Sequence, residues 1–390
     1  MARIAIHMPT LSARGGAERY AAEVAAVLRD EGHTVCLAAC EAPDLSAIGT
    51  YFDLDMSGVH LLRLPALGRL ERMRPRRRAW QLRDALWGRQ LRAWKPDVLV
   101  NAVYRSELQL PGVDHVVVCH FPHARHRDDA PSIASRVKAL LAGAGGIYPP
   151  PGATVIANSA FTAEYVSRRW GMSSAVVHPP CPLAEPTPAA RERVILSVGR
   201  FTAPQPHVPN KRFDVMIEAF RSLNDLHERG YRLVLIGSAG EGDLAYVDTL
   251  RRAATGVPVD FVVNAPFARL QRAYASAELY WHAQGYGEDV EEFPEAHEHF
   301  GMTTVEAMSG GCIPLVIASA GPSEVVGPLG RGLLWASVSE LAESTRRVVV
   351  MTDIDQTRLR DDVRRRAEDF SRDVFRTRLK QVLDPVLRRQ

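Results

Sequence analysis

The feature that most restricts the fold of this chain is a repeated alternation. Short apolar runs rich in Val and Ile, at 3–8, 98–100, 115–119, 154–158, 194–199, 232–237, 259–263, 279–282 and 313–317, are separated by stretches with helical spacing such as 17–31, 213–226 and 268–277. Such runs show little polar alternation, so the strands they form are buried on both faces. That requires a parallel sheet covered by helices. The pattern runs twice. Between its two passes, residues 178–188 hold five prolines in 11 positions, and such a stretch continues neither a helix nor a central strand. The expectation is an α/β chain of two doubly wound, Rossmann-like domains over 1–180 and 193–370. An extended linker over 181–192 joins them, and a terminal helix over 371–390 crosses back to the first domain. A length of 390 residues exceeds one ordinary domain and suits two.

Composition removes several classes of function. With 46% hydrophobic and 24% charged residues the chain is not disordered. Its 48 basic against 45 acidic side chains leave +3, too little to mark a nucleic-acid partner. Cys36, Cys40, Cys119, Cys181 and Cys312 are odd in number and outside any C-x-x-C spacing, which excludes a disulfide scaffold and points to a reducing compartment. No run of about 18 apolar residues is present to span a membrane. The first residues read as a strand rather than a secretory leader. A cytoplasmic protein is expected, with no metal and no cofactor.

Ligands of doubly wound sheets bind outside the carboxyl ends of the strands, so chemistry is sought there. Gly15 and Gly16 follow the first strand and precede an Ala-rich helix, where main-chain N–H groups can meet an anion. A plain turn reads equally well, and G-x-G-x-x-G is absent. In Glu298-His-Phe-Gly-Met-Thr-Thr-Val-Glu306 two carboxylates lie eight residues apart. A helix starting near Met302 would offer the amides of Phe300, Gly301 and Met302 to a phosphate. One carboxylate can accept both hydroxyls of a sugar or ribose diol. Glu306 could instead be a first-turn acid that complements the helix dipole. Arg200 ends a strand and Lys211 opens a helix, where cations can meet the charge of a departing diphosphate. His120 ends another strand, next to Cys119 and ahead of His123 and His126. Their spacing does not match a structural zinc site, so His120 reads as a neutral donor or acceptor beside substrate. Asp53-Leu-Asp55 resembles a metal clamp but sits in an irregular loop, and is left out of the site.

In this order and spacing, Gly15-Gly16, Ser197-Val-Gly-Arg200, Lys211 and the E-x7-E pair Glu298 and Glu306 resemble the retaining family 4 glycosyltransferases of GT-B fold. The stretch from Glu298 to Gly311, with Cys119-His-Phe-Pro122 upstream, is most similar to the branch of lipid-linked-oligosaccharide mannosyltransferases. The resemblance implies two domains facing a cleft and a hexose, mannose-like, moved from a GDP- or UDP-sugar. The acceptor would be a glycan, a lipid-linked or a small-molecule hydroxyl. It implies that Glu306 binds ribose, that Arg200 and Lys211 hold the diphosphate, and that Glu298 and the Phe300, Gly301 and Met302 amides meet donor sugar and phosphate. Gly16 would approach the phosphate and His120 the sugar, with retention, no metal and closure that excludes water. Two departures stand out: a longer, proline-rich loop between Arg200 and Lys211, and a longer acidic loop over 284–297. The rivals are a catalytically silent nucleotide-sugar binder and a GT-B epimerase or phosphorylase.

Arginines crowd residues 72–92, and Trp80, Trp87 and Trp94 recur every seven positions. Segment 72–95 is either a peripheral membrane contact at the inner face or, the favoured reading, a helix whose Trp face is core. A membrane role predicts co-sedimentation with anionic vesicles that Arg76→Glu, Arg77→Glu and Arg78→Glu together abolish; unchanged co-sedimentation leaves only the core role.

Overall fold

A computed structural model describes residues 1–11, 15–40, 44–66, 76–104, 106, 108–123, 149–183, 191–330 and 332–389, with the main chain alone at 76–82. The chain divides into two compact units, Met1–Pro180 with Phe375–Gln390, and Cys181–Val374.

The first unit is built on strands β1 Arg3–His7, β2 Thr34–Ala39, β3 His60–Arg63, β4 Val98–Asn101, β5 Asp114–Cys119, β6 Thr154–Ala157 and β7 Ala175–Val176. They lie in the order β3-β2-β1-β4-β5-β6-β7, and the pairs are parallel. Strands β2 and β3 follow less apolar stretches than the runs that flagged the others. The order reverses at β1 and β4, whose last residues His7 and Asn101 are register partners. His7 is fully buried, and desolvation pushes its pKa down to about 3, so the ring is neutral. Its ring meets Trp87 with centroids 5.3 Å apart and planes at 65°.

Trp87 lies on the helix Arg76–Trp94 with 1% exposure, and its indole N–H donates to Pro65 O at 3.1 Å. Arg83 stacks on its ring at 4.5 Å and pairs with buried Asp84. The tryptophan face at Trp87 is therefore core. Trp80 and Arg72 to Arg78 lie outside the described side chains. Among the described residues no helix is long and apolar enough to cross a membrane.

The terminal helix Arg372–Leu387 belongs with this first unit for a reason visible in its spacing. Phe375, Leu379, Leu383 and Val386 form one apolar stripe, and they enter the same core as Tyr20 and Val24 of the helix Gly16–Asp30. Phe375 meets Tyr20 edge-on at 5.1 Å. Lys380 and Glu31 pair at 2.7 Å on the rim.

The second unit carries β8 Glu192–Val198, β9 Arg232–Gly237, β10 Val259–Val263, β11 Ala277–His282, β12 Ile313–Ile317 and β13 Leu334–Trp335. The order is β10-β9-β8-β11-β12-β13, again parallel. Cys181 is buried in this unit's core, and its amide donates to Phe370 O at 3.0 Å; residues 184–190 of the proline-rich stretch lie outside the described residues. One helix differs from expectation. The run over 213–226 breaks into Phe213–Arg221 and Asn224–Glu228, because Arg346 takes the Ser222 carbonyl at 2.9 Å and grips Asp225 with two nitrogens. A side chain distant in sequence thus satisfies the carbonyl that a continuing helix would have used.

Replacing Trp87 by Ala removes a filled core volume and an indole hydrogen bond. Trp87→Ala is expected to lower stability by about 3–5 kcal/mol, read as an earlier denaturant midpoint of the transition that reports the first unit.

Candidate functional site

In the second sheet the strand order reverses between β8 and β11, neighbours in space although 78 residues lie between the end of β8 at Val198 and the start of β11 at Ala277. The crevice that such a reversal leaves is where doubly wound sheets take ligands. Gly199 and Arg200 leave β8 there, and His282 ends β11.

Lys211 reaches this point by lying across Gly199. A Cβ on Gly199 would overlap the methylenes of Lys211, so only glycine lets the stem pass. Gly237, at the end of β9, is needed in turn because a Cβ there would strike the Gly199 carbonyl. The Lys211 ammonium contacts Glu298 Oε2, and His282 Nε2 stands 3.6 Å from the same oxygen. Burial acts to raise the Glu298 pKa, but the charge of Lys211 and the His282 ring outweigh it and hold the carboxyl well below its usual range. His282 is 1% exposed; burial lowers its pKa and Lys211 adds to that, so it stays a neutral ring. Arg200 is exposed and has no hydrogen bond or ion pair among the described residues.

Three residues after Glu298, Gly301 adopts φ +99°, a left-handed value that favours glycine, and the helix Met302–Ser309 begins. Thr304 and Val305 donate to Gly301 O at 3.0 and 3.3 Å. The first-turn amides of Met302 and Thr303 have no acceptor inside the helix, at the positive end of its dipole. The Phe300 side chain is not at the site: it is 3% exposed and packs edge-on against Phe370 at 5.4 Å. Its main chain lies against Gly321, where any Cβ would collide with it.

Glu306 lies one turn into this helix, half-buried, with Oε2 accepting from the Tyr274 hydroxyl at 3.0 Å. Tyr274 is buried and, by desolvation first and the Glu306 charge second, held protonated far above its ordinary pKa. Its carbonyl accepts from Arg191 at 3.4 Å and from Cys312 Sγ at 3.1 Å. Gly310 packs so closely on that carbonyl that no side chain fits. One carboxylate oxygen is thus fixed, in a group able to accept from a diol.

Gly15, Gly16 and His120 belong to the first unit. Gly15 precedes the helix Gly16–Asp30, and its amide donates to Glu18 Oε2 at 2.9 Å, so the helix's own acid occupies that N–H. Gly16 is exposed at the first helical position. His120 follows β5, and its Nε2–H donates to Ala102 O at 3.1 Å. Burial lowers its pKa, leaving a neutral ring edge-on to Tyr20 at 6.0 Å. Cys119 is buried with its thiol pKa raised, His123 packs on Trp170, and His126 lies outside the described residues. Among the described residues no three His, Cys, Asp or Glu side chains gather as a metal site. Asp53 and Asp55 have local duties: Asp53 ends the helix Leu45–Phe52 in a left-handed turn, and Asp55 accepts from Ser57 N at 2.8 Å.

His282 and Tyr274 are additions to the residues read from sequence. His282 carried a signal, as a polar residue closing a buried apolar strand. Tyr274 carried none, since 32 residues separate it from Glu306.

Two successive family patterns cover the chain: Glycosyltransferase Family 4 over residues 14–185 and Glycosyl transferases group 1 over 184–368. The sucrose-phosphate synthase of Thermosynechococcus elongatus superposes with a TM-score of 0.69 at 16% identity, covering 100% of both chains, a likeness of fold. The chain belongs to the family 4 glycosyltransferases of GT-B fold. It is 28% identical over 240 residues to a GDP-Man:Man(3)GlcNAc(2)-PP-Dol alpha-1,2-mannosyltransferase of Xenopus tropicalis, across 57% of this chain and 46% of that protein. The enzyme of the same name from Yarrowia lipolytica is 26% identical over 382 residues, 80% of this chain and 57% of that one. The chain thus spans about half the length of these relatives.

Lys211→Met leaves Glu298 without its cation. A depressed carboxyl pKa stabilises the fold above its unfolded value of about 4.3 and loses that contribution as pH falls toward the folded value. The variant is expected to be about 2 kcal/mol less stable at pH 7. The gap to wild type should narrow below about pH 4, measured by urea unfolding across pH.

Proposed function

We propose that this chain is a metal-independent, retaining glycosyltransferase that moves mannose from GDP-mannose to a hydroxyl of a lipid-linked glycan at the cytoplasmic side of a membrane. The observation that carries the reading is the junction of Lys211, Glu298 and the amino end of Met302–Ser309, with Glu306 on the same short helix. Cation, acid and unpaired amides meet at a strand-order reversal, a composition suited to a sugar diphosphate. Mannose, GDP and the lipid-linked acceptor come from the names of the relatives.

In this reading Arg200 and Lys211 bind the diphosphate, Met302 and its neighbours donate main-chain hydrogen bonds, and Glu306 accepts from the ribose hydroxyls. Glu298 accepts from the sugar and keeps Lys211 in place until the diphosphate arrives to share its charge. The acceptor oxygen bonds to the anomeric carbon on the face from which the diphosphate leaves, and the acceptor proton passes to a departing phosphate oxygen. The cations carry the negative charge that grows as the bond to phosphate breaks. No protein base is required for retention. The first unit receives the acceptor.

The test is a thermal-shift series with GDP-mannose, UDP-glucose, UDP-N-acetylglucosamine, GDP and UDP, in chelator, with Glu306→Ala as control. A shift of several degrees selective for the guanine nucleotides, lost in the variant, is expected, with GDP release once a mannosylated lipid-linked acceptor is added. A uridine-selective shift replaces the donor, binding with no turnover on any acceptor indicates a silent binder, and no shift at all overturns the reading.

A further inference from the structure

The two loops that set this chain apart, between Arg200 and Lys211 and over 284–297, turn out to hold each other. Residues 203–209 are exposed throughout, so no core burial places that loop. Its fastening is His207. The His207 amide donates to Glu288 Oε1 at 3.2 Å, and its Nδ1 meets Glu288 Oε2 at 2.9 Å. The imidazole also stacks on Phe293, with centroids 3.4 Å apart and planes 14° from parallel. His207 sits at φ +60°, a left-handed value that a residue with a side chain seldom takes; the three contacts from the opposite loop hold it there.

The opposite loop is prepared for this. Asp289 Oδ1 accepts from Glu291 N at 2.8 Å and from Glu292 N at 3.3 Å, and Phe293 N donates to Asp289 O at 2.8 Å, which curls the segment so that Glu288 and Phe293 face His207 together. A second grip lies further in, where Arg212 donates to Tyr286 O. Asn210 braces the first loop from within, accepting from Arg212 N at 2.7 Å and donating to Thr202 O. Between the loops remains a cavity of only about 40 Å³, bounded by Val208 and Asn210 on one side and Tyr286 and Ala296 on the other. Each loop then delivers one member of the ion pair: Lys211 follows the first and Glu298 the second.

We propose that His207 and Glu288 form a clasp that positions Lys211 against Glu298 before donor arrives, making His207 a positioning residue for the diphosphate end of the donor. The proposal rests on the reading of Lys211 as a donor ligand. A clasp of this kind removes in advance the cost of ordering an exposed loop, which otherwise falls on ligand binding. Opening it therefore raises the donor KM while kcat at saturating donor changes little.

The experiment measures GDP dissociation constants and GDP-mannose KM and kcat for wild type, His207→Ala, Glu288→Ala, the double variant and Glu288→Gln, with hydrogen exchange of the unliganded proteins. Each alanine variant is expected to weaken GDP and raise KM about tenfold with kcat within twofold. The double variant should be no weaker than either single, and Glu288→Gln, which keeps an acceptor oxygen, should recover most of the affinity. In the unliganded protein, Glu288→Ala should speed exchange in 201–212, the loop it does not belong to. Unchanged exchange there overturns the clasp whether or not nucleotide binds. Faster exchange with unchanged GDP affinity overturns its positioning role. Wild type that binds neither GDP nor GDP-mannose fails the donor reading, and the exchange result still decides the clasp.

Discussion

The contact of the Lys211 ammonium with Glu298 is the interaction around which the second unit is arranged. It joins two charges 87 positions apart at a place where burial by itself pushes the carboxyl pKa up. Keeping it there sets requirements elsewhere. Gly199 must lack a side chain for the lysine stem to cross, Gly237 must lack one for the Gly199 carbonyl to fit, and β8 must lie beside β11 for His282 to stand at the carboxylate. A neutral His282 supplies polarity without a second positive charge, so the ion pair retains one unit of each sign.

The helix Met302–Ser309 is short, and short helices are marginal on their own. Here both ends are held by residues from outside it. At the amino end Gly321 packs on the Phe300 main chain and donates to Glu298 O at 3.0 Å, tying the turn ahead of the helix to the helix Ala320–Val326. At the carboxyl end Arg191 donates to Gly310 O, and Arg360 donates to Gly311 O at 2.8 Å. Guanidinium groups at the negative end of a helix dipole are favourable, and these two satisfy carbonyls that the helix leaves without partners. Glu306 is thereby fixed along the helix, and Tyr274 fixes it across.

Much of this was legible in the sequence because it depends on local chemistry. Buried parallel strands must be apolar on both faces, so β9, β10 and β12 end where their Val and Ile runs end. The helix start expected near Met302 is met, and Gly301 at φ +99° supplies the left-handed turn ahead of it. The heptad spacing of Trp87 and Trp94 admitted two readings, and only burial against His7 and Pro65 separated core from surface at Trp87. The split at Ser222 was invisible for the same reason: its cause, Arg346, lies 124 residues away.

What the sequence determined by itself is the class of fold, its two passes, and the identity of the charged and glycine residues at strand and helix ends, since periodicity and backbone freedom are properties of neighbours along the chain. What only the tertiary structure decided is the pairing: Lys211 with Glu298 and His282, Tyr274 with Glu306, and His207 with Glu288 and Phe293. Those partners lie 16 to 87 residues apart. Hydrogen bonds and ion pairs act over a few ångströms of space, and which distant residues come that close is set by how the sheet orders its strands.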